Sequence, residues 1–254
     1  MKEHLFNAKA KIYDIARPRY AQEMLDFLKK NEKLTNKKIA DIGAGTGIFS
    51  KQLYEIGNEI FAIEPNDDMR NVMYEKMKNE DNFHIINGNA EASGLQENSV
   101  DVVCAAQAFH WFDYKAFAKE CLRIMKKGGK VYLTWNNSDA DNESEVKKKC
   151  NDIMDKYCAK NIKQSTHNSN DKVLEAIDDF YEEYEVFKFD NPIARNKENF
   201  LQMVLSASYA LRPDDDEYEN LVAELSDYFD KYNQDGYIIS HNISVLYCGY
   251  PKEF

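Results

Sequence analysis

The most informative run in this chain is Ile39-Ala40-Asp41-Ile42-Gly43-Ala44-Gly45-Thr46-Gly47. Its apolar first half predicts a buried strand, and its glycines predict a tight turn, because glycine adopts backbone angles that other residues avoid and adds no Cβ that would block a ligand. Apolar residues then recur at helical spacing, which predicts a helix whose first N–H groups are unpaired. We interpret the turn as a ligand-binding site; the alternative is a tight strand-to-helix corner that binds nothing.

The spacing of these glycines and the acid before them indicate which ligand the turn binds. The dinucleotide fingerprint G-x-G-x-x-G, counted from Gly43, requires its third glycine where this chain has Ile48. Asp41 precedes the turn, and its carboxylate would repel a pyrophosphate but attract a cation such as an ammonium group. The residues therefore favour S-adenosylmethionine over NAD as the cofactor.

Two later strand ends carry groups that suit a nucleoside. The predicted strand over residues 59–63 ends at Glu64, about 20 positions after the first glycine, where an acid accepts hydrogen bonds from both ribose hydroxyls. The next predicted strand is followed by Asn89 and Ala90, which we expect to pair with the adenine edge. In the helix after Glu64, methionines recur at helical spacing and predict core packing, with Met69 alone contacting the ligand.

The other half of the predicted site follows the fourth strand. Residues 99–106 are almost continuously apolar, as in a strand buried on both faces. They lead into an aromatic segment, residues 107–113. The π faces of its side chains would favour the positive charge of the sulfonium. Phe109 and Trp111 of this segment are predicted substrate contacts. His110 is a candidate general base, because the unperturbed pKa of histidine is about 6.5; the alternative is a wall residue that orients Trp111 or the cofactor.

Composition and charge limit the classes of partner. The 254 residues are 43% apolar and 30% charged, with a net charge of −11 and a pI of about 5.0. An acidic chain of this kind is not attracted to phosphate backbones in general, so a nucleic-acid partner is disfavoured. The five cysteines form no C-x-x-C pair, which argues against a zinc site or a disulfide framework, and we expect no metal.

The hydropathy pattern predicts a soluble, cytoplasmic protein. The amino terminus has no apolar core of signal-peptide length, and no run approaches the roughly 20 apolar residues that cross a membrane. We expect no membrane partner, and a monomer or homodimer.

Strands that alternate with helices predict an α/β fold with a mostly parallel sheet. We divide the chain into N-terminal lid helices over residues 1–36, a cofactor-binding core over 37–137, and a helical cap with the last two strands over 138–254. These two strands are predicted over 184–189 and 238–247, with helices before and between them.

The lid and the cap also carry predicted contacts. An arginine and two tyrosines of the lid, Arg17, Tyr13 and Tyr20, are expected to close over the ligand. The alternative for Arg17 is a solvated charge at a helix start. In the cap, Tyr209 is a further predicted substrate contact.

Five motifs in this order resemble those of the class I S-adenosylmethionine-dependent methyltransferases, and most closely the methyltransferase type 11-like branch that acts on small molecules. They are Y-x-x-x-R-P-x-Y at 13–20, D-x-G-A-G-T-G at 41–47, E-P-N at 64–66, G-x-A-E at 88–91 and A-Q-A-F-H-W-F at 106–112. The resemblance implies a Rossmann-like, doubly wound sheet of seven mostly parallel strands in the order 3-2-1-4-5-7-6, with the last strand antiparallel.

The resemblance also implies roles for individual residues. The glycine turn and Asp41 would hold the methionine part of the cofactor, and Glu64 would hold the ribose. Asn89 is neutral where many relatives have an acid, although its amide oxygen can still accept a hydrogen bond from the adenine amine. The cofactor contacts that we expect are Tyr13, Arg17, Tyr20, Asp41, Gly43, Ala44, Gly45, Thr46, Gly47, Glu64, Pro65, Met69, Asn89, Ala90, Glu91, Ala106 and Gln107.

Methyl transfer from a sulfonium is an in-line displacement with a neutral leaving group, so it requires alignment and exclusion of water more than catalytic side chains. The resemblance implies an S-adenosylmethionine-dependent methyltransferase that acts on an oxygen, nitrogen or carbon atom of a small molecule. The alternatives are an RNA or protein methyltransferase and a non-catalytic S-adenosylmethionine-binding regulatory protein. An NAD-dependent dehydrogenase is disfavoured by Ile48.

Overall fold

The computed structural model describes residues 18–138, 145–165, 170–207 and 209–254. Tyr13 and Arg17 of the predicted lid lie outside the described residues. The elements in chain order are α1 (Gln22–Lys30), β1 (Lys38–Ile42), α2 (Ile48–Glu55), β2 (Glu59–Ile63), α3 (Asp67–Met77), β3 (Phe83–Ile86), β4 (Val102–Ala106), α4 (Tyr114–Ile124), β5 (Val131–Ser138), α5 (Glu145–Ser165), α6 (Asn170–Phe180), β6 (Tyr181–Asp190), β7 (Ile193–Arg195), α7 (Lys197–Leu205), α8 (Tyr218–Tyr232), β8 (Ile238–Ser240) and β9 (Asn242–Pro251).

Seven strands form one sheet in the order β3-β2-β1-β4-β5-β9-β6. The pairs among β1 to β5 are parallel, whereas β9 runs antiparallel to both β5 and β6. Within this sheet β6 and β9 are the sixth and seventh strands along the chain. The predicted Rossmann-like order 3-2-1-4-5-7-6, with an antiparallel last strand, is therefore confirmed.

One predicted strand is two strands in the structure. The sequence predicts a strand over 238–247, but the chain changes sheets at His241. β8 pairs with β7 in a separate two-stranded sheet, where Ile238 is buried among helices of the carboxyl-terminal half. β9 begins at Asn242 and pairs with β5 and β6. The strand is divided because its two halves pack in different parts of the molecule.

Alternate residues of β1 belong to different hydrophobic cores, one on each face of the sheet. Ile39 packs with Leu28 of α1 and Leu53 of α2, whereas Ala40 and Ile42 belong to the opposite core. A third cluster, which we call the cap cluster, lies among α5, α7 and α8 and includes Met154, Phe200, Leu221, Leu225 and Phe229. The three-part division of the chain stays a prediction.

None of the helices in the described ranges combines the length and the apolar character that crossing a membrane requires.

Candidate functional site

The chain leaves β1 through a turn in which Gly43, Gly45 and Gly47 have φ values of +70°, +59° and +80°. Residues with a Cβ rarely adopt these angles, which explains the alternate glycines. The turn is held against the end of β2, because the amides of Gly43 and Ala44 donate to the carbonyl of Ile63 over 2.8 and 3.0 Å. A Cβ on Gly45 would meet no atom within 4 Å, so the turn presents bare backbone to open space.

Glu64, which directly follows β2, is fixed against this turn. Its Oε2 accepts a hydrogen bond from the amide of Gly45 at 2.8 Å, and its Oε1 accepts one from the amide of Asn66 at 2.9 Å. Asn66 caps α3, with its Oδ1 accepting from the amide of Met69 at 3.0 Å. Hydrogen bonds to a charged group are comparatively strong and directional. The acid that the sequence assigns to the ribose is therefore oriented by the backbone around it.

A cavity of about 430 Å³ lies at the carboxyl ends of β1, β2, β4 and β5. This is the edge at which open α/β sheets bind ligands. Most residues that the sequence assigns to the cofactor or the substrate line it, although their individual roles stay predictions. They are Tyr20, Gly43, Ala44, Gly45, Thr46, Glu64, Pro65, Met69, Asn89, Ala90, Glu91, Ala106, Gln107 and Trp111.

The cavity has further lining residues to which the sequence assigns no role. Position along the chain offers a signal for most of them. Asn136 lies near the end of the fifth strand, and the others with a signal belong to the motifs at 13–20, 64–66 and 106–112, namely Pro18, Asn66, Ala108 and Phe112. The unassigned lining residues are Pro18, Ile48, Phe49, Asn66, Ala108, Phe112 and Asn136.

The segment after β4 turns its aromatic side chains in different directions. Residues 109–111 form one turn of 3₁₀-helix, in which successive side chains point about 120° apart. Phe109 is 2% exposed and packs against Phe180 with ring centroids 5.2 Å apart. The structure therefore corrects the prediction that Phe109 contacts the substrate, because this side chain belongs to the core. Trp111 is 42% exposed and lines the cavity.

His110 lies beside the cavity and is not among the residues that line it. Its ring is tilted against that of Trp111, with centroids 4.8 Å apart. This geometry suits the alternative that the sequence leaves open, a residue that orients Trp111. The role of general base stays a prediction.

Asp41 is buried and does not line the cavity. Its Oδ2 accepts a hydrogen bond from the Ser50 hydroxyl, whereas no residue in the described part of the chain donates to Oδ1. Burial is the main reason that the pKa of Asp41 is raised to about 7; the Ser50 hydrogen bond opposes this rise, and the charge of Glu64 adds to it. Contact between Asp41 and the cofactor stays a prediction.

Asn89 uses its amide oxygen within its own turn. This Oδ1 accepts hydrogen bonds from the amides of Glu91 and Ala92, at 3.1 and 2.7 Å. Both lone pairs of the oxygen that we expected to meet the adenine amine are therefore occupied, which leaves the backbone of Ala90 as the predicted adenine contact. Glu91 connects this turn to the aromatic segment, because its Oε1 accepts from the amide of Asp113 at 3.0 Å.

Two more predicted contacts lie away from the cavity lining. Gly47 packs against Met73, and a Cβ on it would lie 2.8 Å from Met73 Cγ, so this glycine lets α3 approach the turn. Tyr209 is half-buried beside the cap cluster, where burial raises its pKa. Tyr209 does not line this cavity, and its contact with the substrate stays a prediction. No group of three His, Cys, Asp or Glu within the described ranges could hold a metal ion.

Comparison with known proteins agrees with this geometry. Residues 40–133 match the methyltransferase domain family of type 11. An uncharacterised methyltransferase of Mycobacterium tuberculosis is 33% identical over 134 residues, which cover 53% of each chain. A Saccharomyces cerevisiae protein named as a candidate S-adenosylmethionine-dependent methyltransferase, CRG1, is 28% identical over 51% of this chain and 45% of its own length. The match thus spans about half the length of these relatives.

Among solved structures, a candidate type II methyltransferase from Anaeromyxobacter dehalogenans superposes with a TM-score of 0.67 at 20% identity, over 92% of this chain and 97% of that one. At this identity the likeness concerns the fold. The matched residues include the glycine turn and Glu64. The sheet that contains them has the strand order expected for this fold. The match over residues 40–133 therefore identifies a type 11 methyltransferase domain in this chain.

Proposed function

We propose that this protein binds S-adenosylmethionine in the cavity at the sheet edge and transfers its methyl group to a small molecule. The observation that carries the proposal is the Glu64 carboxylate, which the amides of Gly45 and Asn66 orient at the cavity wall. A carboxylate in this position suits the two hydroxyls of a ribose. The name of the yeast relative, which refers to S-adenosylmethionine, adds support.

The residues that are present fit this cofactor. Bare backbone at Gly45 leaves room for the methionine part, since no atom lies within 4 Å of a Cβ built there. The Oδ1 of Asp41 accepts no hydrogen bond from the described residues, and the positive charge of a nearby ammonium group would favour the ionised form of this carboxyl. Met69 and the backbone of Ala90 would enclose the adenine. When bound, the cofactor supplies an electrophilic methyl group on a positively charged sulfur.

The contribution of the chain to the reaction is alignment and the exclusion of water. Pro18 and Tyr20 line the cavity from the amino-terminal side, and Trp111 and Phe112 line it from the segment after β4. The π face of Trp111 can stabilise a nearby positive charge and stack on a planar acceptor. We therefore place the methyl acceptor beside Trp111.

Calorimetric titration with S-adenosylhomocysteine tests the cofactor site. The wild-type protein should bind, and Glu64→Gln should weaken the affinity about 10- to 100-fold, because a hydrogen bond to a charged group contributes about 1.5–3 kcal/mol. Glu80→Gln is the matched control: this exposed carboxylate accepts a hydrogen bond from Tyr54 and does not line the cavity, so the affinity should stay unchanged. A protein that binds NAD but not S-adenosylhomocysteine would refute the proposal.

A labelled-methyl assay tests the acceptor class. Purified protein is incubated with S-adenosylmethionine carrying a labelled methyl group and with separate small-molecule, RNA and protein fractions. Label should enter the small-molecule fraction and decrease with Trp111→Ala. Label in the RNA or protein fraction would overturn the small-molecule proposal. Binding of S-adenosylmethionine without transfer of label to any fraction would favour a regulatory protein.

A further inference from the structure

Residues 18–21 form a segment without helix or strand, which we call the strap, directly before α1. Pro18 and Tyr20 of the strap line the cavity. Backbone without regular secondary structure needs other partners for its polar groups. In the strap, these partners are side chains from positions far apart in the sequence, namely Gln52, Asn136, Asn191 and Ser244.

One end of the strap is held by α2. Gln52 is 4% exposed, and its amide group pairs with the backbone of Tyr20 in both directions. The Tyr20 amide donates to Gln52 Oε1, and Gln52 Nε2 donates to the Tyr20 carbonyl, each over 3.0 Å. Because α2 begins at the glycine turn, this pair ties the strap to the element that carries the predicted cofactor site.

Asn136 holds the other end. Its Nδ2 donates to the carbonyls of Pro18 and Arg19 over 3.4 and 3.2 Å. Its Oδ1 accepts from Asn191 Nδ2 at 3.0 Å and from the Ser244 hydroxyl at 2.6 Å. Asparagine alone among residues of this size supplies both a donor and an acceptor from one planar group.

The sheet explains why these groups meet. Asn136 of β5 and Ser244 of β9 are opposite each other in the antiparallel pair, which places their side chains next to each other on one face. Ser244 is fully buried, and its hydroxyl also accepts from the amide of Ala21 at 2.9 Å. Asn191, which follows β6, donates to the carbonyl of Arg19 at 2.9 Å.

A further hydrogen bond connects Asn136 to the end of β4. Gln107 lines the cavity with its backbone in the left-handed region, at φ +54°. Its Nε2 donates to the carbonyl of Asn136 over 3.1 Å, and its amide donates to the carbonyl of Thr134 over 2.9 Å. Asn136 is therefore in contact with both the strap and Gln107, a predicted cofactor contact.

We infer that Asn136 is a positioning residue, which sets the cofactor affinity by holding the strap against the cavity. The inference rests on the proposed cofactor site. Asn136 acts through the backbone of Pro18 and Arg19. Tyr20, the next residue of the strap, lines the cavity and is the strap residue that the cofactor would contact. The donor half of its amide is the essential half, because it alone points at the strap carbonyls.

The test is a titration with S-adenosylhomocysteine of three variants together with the wild type. Asn136→Asp keeps the shape and the acceptor for Asn191 and Ser244 but replaces the donor with an oxygen that repels the two carbonyls. We expect its Kd to rise at least tenfold, and hydrogen–deuterium exchange at the Tyr20 and Ala21 amides of the ligand-free protein to accelerate. Asn191→Ala removes a strap contact at a residue that does not line the cavity, so a rise of about threefold in its Kd would show action through the strap.

Asn58→Ala is the matched control. Asn58 is 4% exposed and makes three hydrogen bonds with backbone groups, at Leu34, Lys37 and Leu53, away from the cavity lining. It should lower the melting temperature and leave Kd within twofold of the wild type. If the role of Asn136 were merely structural, Asn136→Asp would behave like Asn58→Ala. Its melting temperature and the fraction of molecules able to bind would fall, but its Kd would stay unchanged.

The outcomes separate the inference from the function on which it rests. Wild-type binding with an unchanged Kd in both Asn136→Asp and Asn191→Ala overturns the inference and leaves the proposed function standing. A wild-type protein that does not bind S-adenosylhomocysteine overturns both. If Asn136→Asp does not fold, Asn191→Ala and its exchange at the Ala21 amide decide the question.

Discussion

Gly43 and Ala108 are in direct contact, so that a Cβ built on Gly43 would lie 2.7 Å from the Cβ of Ala108. Gly43 follows β1 and Ala108 follows β4, which are neighbouring parallel strands. The glycine turn and the aromatic segment therefore pack against each other at the sheet edge. Only a residue without a side chain fits at this point.

This contact predicts different effects for two similar substitutions. Gly43→Ala should lower the free energy of unfolding by about 2–5 kcal/mol, because left-handed strain costs about 1–2 kcal/mol and overpacking adds about 1–3 kcal/mol. Gly45→Ala should lower the free energy of unfolding only by the cost of the left-handed strain, since its Cβ meets open space. It should nevertheless weaken the binding of S-adenosylhomocysteine. Urea denaturation and calorimetry measure both effects, and equal stability of the two variants would contradict the prediction.

The raised pKa of Asp41 predicts how stability depends on pH. Burial raises this pKa from 3.8 to about 7, so between these values the folded protein retains a proton that the unfolded chain releases. Asp41 therefore contributes stability below about pH 4 that is lost as the pH rises to about 7. Asp41→Asn cannot ionise, so its stability relative to the wild type should increase across this range and level off above it.

Chemical denaturation at several pH values checks this prediction. The comparison is the difference between Asp41→Asn and the wild type at each pH, which cancels the contributions of other groups. A difference that does not vary between about pH 4 and pH 7 would mean that Asp41 is ionised throughout, as in an exposed site.

The opposite positions of Phe109 and Trp111 predict opposite consequences of their removal. Phe109→Ala should lower the free energy of unfolding by about 3–5 kcal/mol, as expected for a buried aromatic residue. Trp111→Ala should change stability by less than about 1 kcal/mol, because the side chain is 42% exposed, but should raise KM for the methyl acceptor. Similar losses of stability in the two variants would show that Trp111 is also a core residue.

The contact between His110 and Trp111 predicts an indirect effect of His110→Gln. Because His110 is not among the lining residues, we expect KM for the acceptor to change and the pH dependence of kcat to keep its shape. Steady-state rates between pH 6 and 9, measured with the acceptor that the labelling assay identifies, check this expectation. If kcat of the wild type rises with pH near the histidine pKa of about 6.5 and kcat of the variant does not, His110 would instead be assigned as the general base.

The predictable part of the fold depends on local pattern. Strands and helices of the first half follow from hydrophobic periodicity, and the glycine turn and Glu64 were located from residue type and spacing. The strand order came from the resemblance of five motifs to a known family. The later half was less predictable, because most residues of helices such as α5 are polar, and because the division of the last strand at His241 depends on which core each half meets.

Side-chain direction marked the limit of prediction at the site. In the segment after β4, three consecutive aromatic or histidine residues have the same local character, and only the 3₁₀ turn against Phe180 distinguishes core from cavity. Asn89 shows the same limit, because its residue type allows an adenine contact but its own turn occupies the oxygen.

The amino-acid order by itself determined the turn at residues 43–47, the acid that follows β2 and the alternation of strands and helices, because each depends on backbone preferences and periodicity within a few residues. Only the tertiary structure decided that Phe109 is buried and that Asn136 meets Arg19 across 117 positions of chain. Such contacts arise from strand pairing and core packing, which bring together groups that no local pattern connects.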